Sequence, residues 1–207
     1  MHEFTIYFCQ RLENEHDINS FRAGVKECAQ ILSSLAKMEH QRFPARSAKL
    51  VAQSVFAFNK KSTLKDQKAA TRLALLELMR TLIRLYKSNL VTTVDSKEFV
   101  EGIVSMAEFE KDPSCLNVLF PIYETLSKEW DGSEDVLVLI WDSFIRYYPI
   151  KLSGRIASVP TPDELRQLLL NCFISNDSYA KYAFPRLIEL LDTNQDLSAN
   201  VKVLLKS

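Results

Sequence analysis

Glycine is scarce in this sequence, four in 207 residues. That leaves little room for a glycine-rich phosphate loop or a run of tight hairpins, both of which lean on residues that accept positive φ. Cysteine is sparse as well: Cys9, Cys28, Cys115 and Cys172 stand far apart, and none sits beside a histidine. No paired-cysteine or H-x-x-x-H spacing is present, so neither a zinc nor an iron–sulfur ligand set is expected, and no cofactor. No apolar run approaches the roughly 18 residues that span a bilayer. The N-terminus lacks a basic stretch followed by an apolar one, so no secretory signal is expected, and no membrane. Net charge is missing too. Lys plus Arg number 26 and Asp plus Glu number 26, which argues against direct nucleic-acid binding through many phosphate contacts.

What remains is a globular composition, 47% apolar and 25% charged, with its apolar residues at helical spacing. Phe4, Phe8 and Leu12 mark a first helix near Met1 to Arg11. Asp17 or Asn19 can cap a second, from Ser20 to about Lys37, with the stripe Phe21, Val25, Cys28, Ile31 and Leu35. Phe43-Pro44 breaks the pattern, and Ala45 to Phe58 makes a third helix, followed by a polar, basic loop from Asn59 to Lys65. The strongest helix runs from Asp66 to Leu90 and carries two apolar stripes. One is Ala69, Leu73, Leu76, Met79, Ile83, Tyr86 and Leu90; the other is Leu75, Leu78, Leu82 and Leu85. A helix with two apolar stripes must bury two faces, as a helix does inside a stacked array.

Downstream, Asp95-Ser96-Lys97-Glu98 resembles a capping box, opening a helix with Phe99, Val100, Ile103 and Val104. Asp112-Pro113 restarts the chain with proline at the first helical position, and Pro121 is expected to bend that helix. Asp131-Gly132-Ser133 is a turn. Val136 to Trp141, extended through Phe144 and Ile145, reads as a helix. Tyr147-Tyr148-Pro149-Ile150 ends it, and a loop with Gly154 and Arg155 leads to Thr161-Pro162-Asp163-Glu164, the clearest helix start in the chain. Asp177 or Ser178 opens the last helix, with Ala180, Phe184, Leu187 and Leu191. The sum is about ten helices and no convincing strand. The fold expected is all-α, an α-solenoid of degenerate helical hairpins. Pro185, Leu187-Ile188, Leu190-Leu191-Asp192, Asp196 and Val201-Lys202 are similar to the HEAT-repeat pattern, so residues 1–207 are expected to form one HEAT-like fragment of a longer array.

Candidate chemistry is thin. The cysteines fall on or near apolar faces with no basic activator, so buried thiols in a reducing compartment are expected rather than a nucleophile. Glu124, Glu129, Asp131, Glu134, Asp135 and Asp142 read as a solvated acidic rim. The basic group Lys60, Lys61, Lys65, Lys68, Arg72, Arg80, Arg84 and Lys87 is the best candidate for contact with an acidic partner. Arg72, Arg80, Arg84 and Lys87 are the positions singled out on the long helix. No enzyme is expected.

Four fragments, in order along the chain, resemble one family: Phe8-Cys9-Gln10-Arg11-Leu12; Phe99-Val100-Glu101-Gly102-Ile103 running into Glu110-Lys111-Asp112-Pro113; Tyr147-Tyr148-Pro149-Ile150; and Ala183-Phe184-Pro185 to Leu190-Leu191-Asp192. Together they are similar to the N-terminal HEAT-repeat domain of the MMS-nineteen nucleotide excision repair protein family. The resemblance implies a non-catalytic scaffold of the cytosolic iron–sulfur assembly (CIA) targeting complex. Its implied partners are CIA targeting components and iron–sulfur client proteins such as the helicase of transcription factor II H, and its implied location is nucleus and cytoplasm. A nuclear transport receptor or phosphatase scaffold of the HEAT or armadillo kind is the alternative.

Overall fold

A computed structural model describes residues 2–13, 18–38, 45–130, 132–150 and 160–193. Among these, all regular structure is helical: α1 (His2–Glu13), α2 (Ile18–Met38), α3 (Ala45–Lys61), α4 (Ala69–Thr93), α5 (Ser96–Met106), α6 (Pro113–Glu129), α7 (Glu134–Phe144), α8 (Pro162–Phe173) and α9 (Ala180–Thr193). Three short 3₁₀ turns, at 64–66, 145–147 and 177–179, join them. The all-α expectation holds.

The helices lie in two layers. In one, α1 packs on α3, α3 on α5 and α5 on α7; in the other, α2 packs on α4, α4 on α6 and α6 on α8. Hairpin partners such as α1 and α2, α3 and α4, and α6 and α7 join the layers. The two stripes of α4 now have their explanation. That helix touches α2 and α6 on its flanks and α3 across the layers, and Leu75, Leu76, Leu78, Met79, Leu82, Ile83, Tyr86 and Leu90 are all buried. Each such side chain contributes about 1.5–3 kcal/mol relative to staying in water.

Local signals set most of the boundaries. Thr161 accepts from the Glu164 amide while the Glu164 carboxylate takes the Thr161 amide, a complete capping box ahead of Pro162. Asp112 accepts from the amides of Ser114 and Cys115 at the start of α6. Asp95 accepts from the Glu98 amide at 2.9 Å. The Glu98 side chain makes no return bond, so that box is half formed.

Some expectations need correction. In α2 the buried line is Val25, Cys28, Ala29, Leu32 and Ala36, and Ile31 is exposed; Val25 and Cys28 stay on the buried face, whose centre shifts toward the two small alanines. In α9, Ala180 and Phe184 are exposed and the side facing the core carries Tyr182 and Ala183. Asn19 lies inside α2 rather than at its cap. Helix α3 runs three residues beyond Phe58, and α4 begins at Ala69 because the 3₁₀ turn at 64–66 precedes it. Helix α6 continues through Pro121, while the departure from helical geometry falls in α4 at Tyr86 (φ −124°, ψ 18°). There the Tyr86 hydroxyl donates to the Ala36 carbonyl at 2.9 Å. Phe43-Pro44, Asp131, the loop with Gly154 and Arg155, and Val201-Lys202 lie outside the described residues, as do the side chains of Phe4, Phe21, Leu187 and Leu191.

Candidate protein-docking surface

Helices α3 and α5 are neighbours in one layer, and a groove of about 610 Å³ opens between them. Its floor is aromatic. Phe56 meets Phe99 edge to face, ring centroids 5.5 Å apart, and Phe99 stacks on Trp130 at 4.6 Å. Gly102 makes this approach possible: a β-carbon there would lie 2.7 Å from the Phe56 ring. One polar bridge ties the walls together, Asn59 Nδ2 donating to Ser105 Oγ at 3.1 Å, while Lys49 Nζ donates to the Thr93 carbonyl at the end of α4 at 2.7 Å. The α5 wall presents Glu98 and Glu101, and the α3 wall presents Lys60. None of these three charges has an ion-pair partner among the described residues, so they are free to meet charges on another molecule.

The four cationic positions expected to contact a partner have different surroundings. Arg72 turns inward, its guanidinium donating from Nε to Glu110 Oε2 at 2.7 Å, from Nη2 to Glu110 Oε1 at 3.0 Å, and from Nη1 to the Gln67 carbonyl at 2.7 Å. Arg80 pairs with Glu77 one turn away at 2.8 Å. Lys87 reaches Glu129 on α6 at 2.5 Å. Arg84 is exposed with no ion pair among the described residues. Three of these four positions are therefore matched from within.

The acidic rim is matched as well. Besides Lys87–Glu129, Lys97 of α5 pairs with Asp135 of α7 at 3.5 Å, and Lys181 of α9 with Glu134 of α7 at 2.5 Å. Lysines on one helix thus meet carboxylates on a nearby helix, which is why charges that look like solvated clusters in sequence serve as staples between repeats. Hydrogen bonds from Lys181 and Tyr182 hold the Glu134 carboxyl below its ordinary range.

All four cysteines are free and buried. Burial pushes the Cys115 thiol up to about 12, with the nearby Glu110 and Asp112 charges adding to it, and burial raises Cys172 and Cys28 too. Among the described residues, no group of three or more His, Cys, Asp or Glu is placed to hold a metal ion, and no helix is long and apolar enough to cross a membrane.

Sequence reasoning missed the groove. Gly102 in mid-helix marks one wall of it and nothing in the sequence marks the other. An extended helical face with an aromatic-floored groove and unpaired charges is suited to holding another polypeptide. Comparison with known proteins decides the lineage. The family model MMS19_N, described as Dos2-interacting transcription regulator of RNA-Pol-II, matches residues 1–205. The chain belongs to this family. Within the MMS19_N family, the chain is similar to the DNA repair/transcription protein mms19 of Schizosaccharomyces pombe, 26% identical over 190 residues. That match covers 89% of this chain and 17% of the relative, so the chain spans about a sixth of the relative's length. No solved structure matches the chain.

Proposed function

We propose that this chain is the N-terminal part of a non-catalytic scaffold of the cytosolic iron–sulfur assembly targeting complex. It brings the assembly machinery to apo iron–sulfur proteins of DNA replication, repair and transcription. The observation that carries this reading is membership of the MMS19_N family along residues 1–205. The printed name of the fission-yeast relative, a DNA repair/transcription protein, points to the same processes. The two-layered stack supports a binding role, since it offers a long face and a groove rather than an enclosed site with convergent titratable groups.

On this reading residues 1–207 are one HEAT-like fragment of a longer array that works in nucleus and cytoplasm. Its partners are CIA targeting components and iron–sulfur clients such as the helicase of transcription factor II H. Affinity purification of the full-length protein from cells tests it. Recovery of iron–sulfur assembly components together with iron–sulfur helicases is the expected result. Recovery of a transport GTPase or a phosphatase catalytic subunit in their place overturns it.

A further inference from the structure

Phe109 is 64% exposed, more than any other large apolar side chain described. Its backbone sits at φ 64°, in the left-handed region that a bulky L-residue rarely adopts. The fold gains little from a ring so exposed, and the Lys65 ammonium lies 5.7 Å from its centroid. Glycine would satisfy this backbone without strain and would expose no apolar surface. Folding alone therefore does not account for an aromatic at this position.

The turn that projects Phe109 is held firmly. The Glu110 amide donates to the Ala107 carbonyl at 3.1 Å. Glu110 Oε1 accepts from the amides of Lys111 and Asp112, both at 2.8 Å, while its carboxylate is gripped by Arg72. Asp112 then caps α6. The ring is thus presented from a fixed backbone, the arrangement that lets an aromatic anchor bind with little loss of freedom. Beside it lies a hollow of about 100 Å³ lined by Lys65, Met106 and Lys111 among others. The exposed ammonium groups are those of Lys65, Lys68 and Lys111, set against the exposed carboxylates of Glu108 and Asp66. Asp66 is already engaged by the Thr63 hydroxyl at 2.5 Å.

We propose that Phe109, with Lys65 and Lys111, is a docking point for an acidic protein segment bearing an apolar side chain. That side chain packs on the ring and into the hollow, and neighbouring carboxylates meet the two lysines. A handful of cations is too few for strong duplex binding, and one ring is too little apolar area for stable lipid anchoring. The inference rests on the protein-contact part of the function proposed above and not on its iron–sulfur part.

The test uses the full-length protein, its Phe109→Gly variant and a Lys65→Glu/Lys111→Glu double variant. The probes are short synthetic peptides rich in Asp and Glu with one Leu, Phe or Trp, alongside matched peptides with Lys for the acids or Ser for the apolar residue. Duplex DNA and phosphatidylserine vesicles complete the set. The acidic apolar peptides bind the wild type, bind Phe109→Gly about tenfold or more weakly, and bind the double variant weakly with a flattened salt dependence. Phe109→Gly keeps or raises the thermal midpoint, because strain is relieved. Peptide binding that is absent, or that ignores Phe109, overturns the proposal. So does Phe109-dependent binding of DNA or vesicles alone, or a Phe109→Gly midpoint lowered by several degrees. Purification of iron–sulfur components with the wild type is scored separately, so either idea can fail while the other stands.

Discussion

Arg72 and Glu110 meet across 38 residues of chain in a two-pronged ion pair that joins α4 to the turn ahead of α6. The Glu110 side chain is 3% exposed and that of Arg72 18%. Removing either partner strands a buried charge, so Arg72→Ala or Glu110→Ala should cost about 3 kcal/mol, measured by urea unfolding. Burial alone would raise the Glu110 carboxyl, but Arg72 and the amides of Asp112 and Lys111 outweigh it and hold the group below 4.5. Because the folded value lies under the unfolded one, the pair's contribution is complete above about pH 4.5. It drains away as pH falls through the lower native value. The stability gap between wild type and Glu110→Gln should therefore close on acidification in that window.

Gly102 sets the depth of the groove between α3 and α5. Gly102→Ala gains about 1 kcal/mol of helix propensity but forces the Phe56 ring away from its 2.7 Å approach. Because the ring is the far end of a half-buried side chain, the two effects should cancel to within about 1 kcal/mol. Gly102→Leu overfills the site and should cost about 1–3 kcal/mol. Urea midpoints of the two variants separate these cases.

Charge changes along α4 should split by partner rather than by type. Arg84→Glu is expected to move stability by less than about 0.5 kcal/mol. Lys87→Ala gives up its exposed pair with Glu129 and should lose about 0.2–1 kcal/mol. Lys87→Glu should lose more, since it places like charges together. A double-mutant cycle on Lys87 and Glu129 isolates the pair. If all three variants unfold alike, the staple described between α4 and α6 is wrong.

The thiols offer an inexpensive probe of packing. All four cysteines are buried, and Cys115 and Cys172 are shifted well away from thiolate formation by burial. A thiol reagent at mildly alkaline pH should label the native chain slowly, and four thiols should appear on unfolding in denaturant. Fast native labelling of Cys115 would contradict its placement against the Ala69 carbonyl.

The parts of the fold that could be read in advance were those with short-range causes. The caps at Asp112 and Thr161 act over two or three residues, and the double stripe of α4 is a periodicity within one helix. The misreadings have longer-range causes. Whether Ile31 or Leu32 faces inward depends on how closely Ala29 and Ala36 let neighbouring helices approach. Arg72 looked like a free cation because Glu110 is distant in sequence, and the same holds for Lys87 and Glu129. The groove could not be read at all, since it is a distance between α3 and α5 rather than a property of either. Phe109 carries no sequence signal beyond being an aromatic in a loop.

The pairing of helices has one more consequence. Among the described residues, each substantial packing joins helices adjacent or next but one in chain order, so no later described helix locks an early one in place. Such a molecule has a grain, like timber: damage at one end can peel away a hairpin and halt at the next intact layer. Loss of order in α1 and α2 would leave α6 to α8 standing.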